Sequence, residues 1–301
     1  MALKEIHLPI TAFIVEKLRG LANRLDAAAT RRNACDSSRS GSGPVLDEYI
    51  VGMPGAQNAI NVLPGWHQSF PPAIGVVAGD SAFYQDPRIA WALEQHGSIE
   101  NQAILEFGPL EGGHTYFLEQ HNPAFIHAIE ANKLSFLRCL ITKEILGMSR
   151  AKFFIGDLMQ WLQKTEVHYD LIVASGVLYH MQDPLLMLEL MAKRANAFYL
   201  WTHYMSDAAM PQDDPRRGAL IGEIEVRDFH GLPVRLSKRS YYGAWRDKSF
   251  CGGMHDLHRW IEKDDLMAAI RALGFTDVRI AHDEPDHRNG PAFSVFARRE
   301  A

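Results

Sequence analysis

The chain has 301 residues, with 31 lysines and arginines against 36 aspartates and glutamates and a formal net charge of -5. Hydrophobic residues make up 47% of the chain, which is typical of a globular protein with a full core. Acidic and basic residues are mixed along the sequence, and this argues against a nucleic acid held through its phosphates. The chain has no apolar run long enough to span a bilayer and no secretory signal, so we expect a cytoplasmic protein.

The cysteines give no disulfide framework. The sequence contains three of them, Cys35, Cys139 and Cys251, which are odd in number and far apart. This pattern fits a reducing compartment, where thiols stay free.

Residues 1–85 are predicted to form an extension to the main domain. Apolar side chains at helical spacing predict an amphipathic helix over residues 11–29, which would serve for packing or for forming a homodimer. Residues 31–44 are rich in serine and glycine and predict a mobile connection. Residues 45–82 contain many glycines and prolines among scattered aromatic residues, so we expect ordered irregular structure that packs on the main domain.

Strands and helices alternate from residue 86 onward. Asp86 and Pro87 are typical of a helix start, and that helix should end at Gly97. Apolar segments predict five strands, over residues 103–107, 124–130, 151–155, 169–175 and 197–202. Helical patterns fall between them, over residues 113–120 and 134–147 and from residue 184. Such alternation requires right-handed crossovers and a parallel sheet covered on both faces, so we predict a doubly wound α/β domain over residues 86–301.

A long polar and aromatic insertion, residues 203–260, follows the fifth strand. A helix is then predicted over residues 264–274, and two strands over residues 276–281 and 292–298. The link between these two strands contains glycine and proline but no helix, so we expect them to pair antiparallel. The predicted fold class is therefore α/β, with a seven-stranded mixed sheet that ends in an antiparallel hairpin.

The first strand and the loop after it carry a family resemblance. Residues 104–115 (ILEFGPLEGGHT) resemble the first motif of the class I, Rossmann-like S-adenosylmethionine-dependent methyltransferases, and the seven-strand order is similar to that family's fold. The resemblance covers about residues 86–298 and implies S-adenosyl-L-methionine as the cofactor. The family alternates glycines after the acidic residue, whereas here Gly108 is followed by three other residues before Gly112 and Gly113. The loop still joins a strand end to a helix N-terminus, where free N–H groups face a ligand.

Two later acidic residues extend the predicted cofactor site. Glu130 closes the second strand about 20 residues beyond the loop, where a carboxylate can accept from both ribose hydroxyls. Asp157 follows the third strand, where the resemblance implies a contact to the adenine amino group. Taken alone, Gly108 is explained by a tight turn, Glu130 by a solvated loop and Asp157 by a helix N-cap. Together they favour a cofactor site made of Glu106, Gly108, Gly112, Gly113, Glu130, Asp157 and Ser175.

The catalytic residues should lie at the carboxyl edge of the sheet. Methyl transfer needs an aligned acceptor, a water-free site and, for a hydroxyl or ammonium acceptor, removal of a proton, whereas a thioether needs no base. Tyr179 and His180 follow the fourth strand, and His203 and Tyr204 follow the fifth. We predict the two histidines as bases and Tyr179 as an orienting residue. The alternatives are packing of Tyr179 on adenine and structural hydrogen bonds for both histidines.

Residues 240–260 and the N-terminal segment are predicted to close over the acceptor. The alternative is that the N-terminal helix only dimerises and that the insertion only shields the sheet edge. Cys251, His255 and His258 have a metal-like spacing without a fourth ligand, so no metal is predicted. Aromatic and charged side chains suit contacts to an acceptor. We expect these contacts from Tyr204, Tyr241, Tyr242, Trp245, Arg246, His255 and Arg259.

The sequence thus predicts a methyltransferase that acts on a small-molecule acceptor, and three alternatives stay open. Residues 175–184 (SGVLYHMQDP) are similar to a segment of the tRNA wobble-uridine carboxymethyl-transferring enzymes, which raises the possibility of a tRNA-modifying enzyme. The acidic charge argues against it. An NAD(P)-dependent dehydrogenase would need a Gly-x-Gly-x-x-Gly loop, which this chain lacks. A protein that binds a nucleoside without catalysis is the third alternative.

Overall fold

The structure, a computed structural model, describes residues 49–246 and 252–300. The predicted helix over 11–29, the connection over 31–44, Cys35 and Cys251 lie outside these residues. From Gly55 onward the chain forms one compact unit. Within the described ranges, no helix has the length and apolar character needed to cross a membrane.

The main sheet contains seven strands: β1 (Ala103–Phe107), β2 (Phe125–Glu130), β3 (Ala151–Ile155), β4 (Leu171–Ser175), β5 (Ala197–His203), β9 (Asp277–Glu284) and β10 (Ala292–Arg298). Their order across the sheet is β3-β2-β1-β4-β5-β10-β9. The first five strands pair in parallel, and β10 pairs antiparallel with both β5 and β9, so the sheet is mixed and ends in an antiparallel hairpin, as the sequence predicted.

Helices cover both faces of the sheet, and their ends follow local signals in the sequence. Asp86 accepts a hydrogen bond from the N–H of Arg88 and begins a helix, while Asn132 begins another by accepting from two N–H groups. Gly147 ends the second of these helices in the left-handed conformation. The helices are α1 (Ala56–Val62), α2 (Pro87–His96), α3 (Gly113–Glu119), α4 (Lys133–Leu146), α5 (Leu158–Lys164), α6 (Pro184–Arg194) and α7 (Lys263–Ala272).

The core lies on the two faces of the central strands. Leu105, Phe107 and Phe293 lie in the cluster on one face, and Ile104 and Tyr199 lie in the cluster on the other. A parallel sheet covered on both faces needs nearly continuous apolar strands, because side chains on both faces are then buried. This is why the strands of the main sheet could be read from short apolar runs.

The insertion contains a second sheet that the sequence analysis did not predict. Strands β6 (Glu225–Phe229), β7 (Leu232–Ser240) and β8 (Leu257–Ile261) pair antiparallel in the order β6-β7-β8. The insertion leaves the main sheet and returns to it at one place, where the N–H of Met205 donates to the carbonyl of Ile261 at 2.9 Å and the N–H of Lys263 donates to Met205 at 3.0 Å. The insertion therefore begins and ends at neighbouring positions of the main fold.

Residues 55–85 belong to the same compact unit as the main sheet. The segment contains helix α1, two short 3-10 turns and a tight reversal that brings residues 67–69 beside residues 79–81. The reversal depends on Gly79, since a Cβ atom there would lie 2.1 Å from the carbonyl oxygen of His67. The predicted irregular structure is thus ordered by its own backbone contacts.

Candidate functional site

A cavity of about 520 Å³ opens at the carboxyl edge of the main sheet. Strand order reverses between β1 and β4, and open α/β sheets bind ligands at such a point. The loops after four neighbouring strands reach the cavity wall. They contribute Gly108 after β1, Glu130 at the end of β2, Asp157 after β3, and Gly176 and His180 after β4.

The turn after β1 reaches the cavity through Gly108 and Leu110. Gly108 has a φ of 60°, and a Cβ atom there would lie 3.0 Å from a methyl carbon of Val177. Both features favour glycine. Leu110 also has a positive φ, 57°, although it is not a glycine. Its N–H donates to the Glu130 carboxylate at 3.2 Å, so the turn is joined to the next strand end.

Gly112 and Gly113, which we predicted as cofactor residues, pack against protein. A Cβ atom on Gly112 would lie 3.3 Å from the ring of Phe153, and one on Gly113 would lie 2.6 Å from Phe83 and 2.7 Å from Gln68. The second glycine is therefore required by residues 68–83, which cross the start of α3. Of the three glycines predicted to bind cofactor, Gly108 is the one on the cavity wall.

Glu130 is the acidic group at the centre of the cavity wall. One oxygen accepts from the N–H of Leu110 and the other accepts from the N–H of Asn132 at 2.8 Å. Burial raises the pKa of this carboxyl to about 7, against the lowering effect of these backbone hydrogen bonds. Each oxygen keeps a lone pair for a ligand, so the pair of oxygens suits a diol.

The other two predicted acids have different surroundings. Asp157 lines the cavity and also accepts from the N–H of Met159 at 2.8 Å, so it is the N-cap of α5 as well. Glu106 is 1% exposed and accepts from the hydroxyl of Thr115 at 2.5 Å. Burial raises the pKa of Glu106 to about 8, so its proton is retained at pH 7. Ser175, the last predicted cofactor residue, is half-buried at the end of β4, directly before Gly176.

His180 is the predicted catalytic residue that reaches the cavity. Its Nδ1 shares a hydrogen bond with the hydroxyl of Tyr241, whose ring stacks on His258 at 4.0 Å between centroids. Burial lowers the pKa of His180 to about 3, so the imidazole is neutral at pH 7. The backbone of Gly253 lies across this residue, since a Cβ atom there would be 2.8 Å from the His180 carbonyl oxygen.

His203 and Tyr179 lie in a cluster of rings next to His180. The Nδ1–H of His203 donates to the carbonyl oxygens of Gly290 and Pro291, at 2.8 and 3.1 Å, and its ring stacks on Trp260. Burial lowers the pKa of His203 to about 4. The ring centroid of Tyr179 is 4.5 Å from that of His203 and 4.0 Å from that of His180. The contacts of His203 match the alternative in which this histidine makes structural hydrogen bonds.

Trp245 and His255 are the two predicted acceptor residues on the cavity wall. Arg246 lies over the ring of Trp245, with its guanidinium carbon 5.2 Å from the ring centroid. Tyr241 does not line the cavity, but its hydroxyl forms a hydrogen bond with His180, which does. All four residues come from the insertion: two line the cavity, and the other two contact residues of its wall.

Three other predicted acceptor residues are engaged elsewhere. The hydroxyl of Tyr204 donates to Asp283 at 2.8 Å, and the hydroxyl of the exposed Tyr242 donates to the carbonyl of Gly218 at 2.8 Å. Arg259 forms an ion pair with Glu225 at 2.9 Å. The guanidinium of Arg259 is therefore already paired with a carboxylate of the protein.

Several polar residues on the cavity wall were missed from the sequence. They follow the ends of β2, β3 and β4, which is the signal that could have found them. Two of them, Asn132 and Asp183, also begin helices by accepting backbone hydrogen bonds. The missed polar residues are Asn132, Ser135, Gln160, Gln163, Gln182 and Asp183.

Neither a family model nor a curated protein sequence matches the chain. Among solved structures, it is similar to the N-terminal domain of EvdMO1 with SAH bound, at 22% identity and a TM-score of 0.60, covering 81% of this chain and 95% of that one. The same domain in the presence of SAH and D-fucose matches at 20% identity with the same TM-score and coverage. A structure of EvdMO1 that is not restricted to this domain matches at 19% identity and a TM-score of 0.54, covering 81% of this chain and 46% of that one. With the strand order given above, this similarity shows that the chain has the fold of the SAH-bound EvdMO1 domain, which is the α/β fold predicted from the resemblance to class I S-adenosylmethionine-dependent methyltransferases.

Proposed function

We propose that the protein transfers a methyl group from S-adenosyl-L-methionine to a small-molecule acceptor. The observation that carries this proposal is the joint position of Gly108, Glu130 and Asp157 on one cavity of about 520 Å³. The sequence predicted these three residues separately, from three strand ends. A bound SAH molecule in the similar EvdMO1 domain supports the same type of cofactor for this fold.

The residues on the wall fit the parts of the cofactor. The Glu130 carboxylate would accept from the two ribose hydroxyls, since each of its oxygens keeps a lone pair. Asp157, with the apolar Ile129 and Leu158 on the same wall, would hold the adenine ring. The turn at Gly108 lets the backbone approach the methionine part closely. When bound, the cofactor supplies a sulfonium-activated methyl group.

The acceptor would bind on the side of His180, Trp245 and His255. We propose a hydroxyl or ammonium acceptor, because a neutral imidazole beside it can take the proton that the acceptor loses. Methyl transfer would remove the positive charge of the sulfonium while His180 gained the acceptor's proton, so the net charge of the cavity would stay constant. This balance would offset part of the cost of protonating a buried imidazole whose pKa is lowered by burial. The similar EvdMO1 domain was crystallised in the presence of D-fucose, a sugar rich in hydroxyl groups.

Titration calorimetry with SAH, NAD and NADP tests the cofactor. We expect heat from SAH and none from the nicotinamide cofactors, whereas binding of NAD without SAH would refute the proposal. Gel-shift assays with total tRNA at low salt test the acceptor class. Tight binding that weakens steeply with salt would favour the tRNA-modifying alternative.

The methyl acceptor can be sought directly with labelled S-adenosylmethionine. Sugars and other small hydroxyl compounds are incubated with the protein, and transfer of label is measured by mass spectrometry. The His180→Gln variant is the matched control, since its amide retains hydrogen bonding but takes no proton. For a hydroxyl acceptor the variant should bind SAH normally and turn over slowly. Full turnover by the variant would remove His180 from the mechanism.

A further inference from the structure

Glu111 lies in the turn between β1 and α3, yet it points away from the cofactor cavity. Its side chain is fully buried. The carboxylate accepts from the backbone N–H of Gln68 at 2.8 Å and from that of His67 at 3.0 Å, and it forms an ion pair with Arg138 at 3.0 Å. A buried carboxylate needs such donors, because an unpaired charge in the interior is very costly.

Arg138 connects the same turn to two other parts of the chain. It projects from α4, is 5% exposed, and donates to both Glu111 and the carbonyl oxygen of Pro64. Its guanidinium also lies near the ring of Trp66, 5.7 Å from the centroid. The side chain of Gln68 adds a second connection, since it donates to the Glu111 carbonyl at 2.9 Å and to Thr142 at 2.7 Å. Segment 64–68, the turn and α4 are thus held together at Glu111.

The turn that Glu111 occupies is conformationally demanding. Gly108, Leu110 and Gly112 have φ values of 60°, 57° and 85°. A left-handed conformation disfavours a leucine, because its Cβ approaches the following carbonyl, so the surrounding structure must hold Leu110 in place. The N–H of Leu110 is the group that donates to Glu130. Glu111, the next residue, is anchored on its other side by Arg138 and segment 64–68.

We propose that Glu111 and Arg138 are positioning residues for the cofactor site. The pair holds segment 64–68 against the turn, and this contact keeps the N–H of Leu110 directed at Glu130. The hydrogen bond from Leu110 in turn orients the Glu130 carboxylate toward the cofactor ribose. This inference rests on the proposed function, since it concerns how that cofactor is held. Loss of the pair weakens cofactor binding and leaves the acceptor's Michaelis constant unchanged.

Glu119 supplies a matched control at the far end of α3, the helix that follows the turn. It is also buried, and it accepts three backbone hydrogen bonds, from Ser149, Arg150 and Ala151, at the end of α3 far from the turn. Titration calorimetry with SAH compares the natural protein with Glu111→Gln and Glu119→Gln. We expect both variants to melt at a lower temperature. Only Glu111→Gln should weaken SAH binding, by tenfold or more, while Glu119→Gln stays within twofold.

A second substitution separates positioning from stability. Glycine adopts a positive φ without strain, so Leu110→Gly in the Glu111→Gln background should restore much of the SAH affinity but not the melting temperature. No SAH binding by the natural protein would refute the proposed function itself. SAH binding that falls equally in Glu111→Gln and Glu119→Gln would refute the positioning role alone. If Glu111→Gln does not fold, Arg138→Lys is compared with Glu119→Gln by the same criterion.

Discussion

Replacing Glu130 with glutamine should weaken SAH binding and make the SAH affinity independent of pH. The two carboxylate oxygens accept from the N–H groups of Leu110 and Asn132, at 3.2 and 2.8 Å, and each oxygen retains a lone pair for one ribose hydroxyl. A glutamine keeps one accepting oxygen and turns an amide nitrogen toward the other donor. The variant therefore loses both a ligand contact and a backbone hydrogen bond.

The expected magnitude follows from the type of hydrogen bond. Hydrogen bonds to a charged group contribute about 1.5–3 kcal/mol, and those between neutral groups contribute about 0.5–1.5 kcal/mol. Exchanging two charged contacts for one neutral contact should cost about 1.5–5.5 kcal/mol, which is roughly a 10- to 10,000-fold rise in the SAH dissociation constant. Glu119→Gln, a buried glutamate away from the cavity, is the control and should leave the dissociation constant unchanged.

The pH dependence gives a second readout of the same group. Burial raises the pKa of Glu130 to about 7, and ribose hydroxyls donate to the ionised form. SAH binding to the natural protein should therefore be about tenfold weaker at pH 6 than at pH 8, since the ionised fraction falls by that factor. Glu130→Gln should show a flat profile. Calorimetry at four pH values measures both effects, and a flat profile for the natural protein together with unchanged affinity in the variant would refute the reasoning.

Three further predictions concern stability and turnover. Burial raises the pKa of Glu106 from 4.5 to about 8, so between pH 4.5 and pH 8 unfolding releases a proton and the natural protein becomes less stable as pH rises. Denaturant unfolding at pH 5.5 and 8.5 measures this loss of stability, which should be smaller in Glu106→Gln. An equal loss in the variant and the natural protein would contradict the prediction. Gly253→Ala brings a methyl group to 2.8 Å from the His180 carbonyl oxygen, so methyl transfer should slow while SAH affinity, measured by calorimetry, stays constant. Arg259→Ala breaks the ion pair with Glu225 and should lower the melting temperature by a few degrees, since part-exposed ion pairs contribute about 1 kcal/mol. An unchanged melting temperature together with a raised Michaelis constant for the acceptor would instead support direct contact between Arg259 and the substrate.

The main sheet could be predicted because its signals are local. Strands such as Ala103–Phe107 and Ala292–Arg298 are short apolar runs buried on both faces, and Gly147 marks a helix end without any information from distant residues. The small sheet of the insertion was missed because its strands lack this signal. Strand β7 contains a proline and several charged residues, and one of these, Arg239, is buried with its guanidinium over the ring of Trp260.

The same distinction holds for the candidate site. Gly108, Glu130 and Asp157 were predicted because parallel strands bring their carboxyl ends to one edge of the sheet, so sequence order gives spatial order. The packing of Gly113 and the buried pair of Glu111 and Arg138 could not be predicted. Their partners lie in residues 64–83, and nothing in the local sequence indicates that this segment crosses the turn.

The packing of the insertion has a consequence for how acceptor specificity can change. The insertion leaves and rejoins the main fold beside Met205. Its Leu236 is fully buried in the same apolar cluster as Phe293 of the main sheet. Exchange of the whole insertion would therefore leave cavities in the core, at a cost of about 2–5 kcal/mol for each large apolar side chain that is lost. We expect changes of acceptor to come instead from substitutions on the cavity wall, at Trp245 and His255, which leave that cluster unchanged.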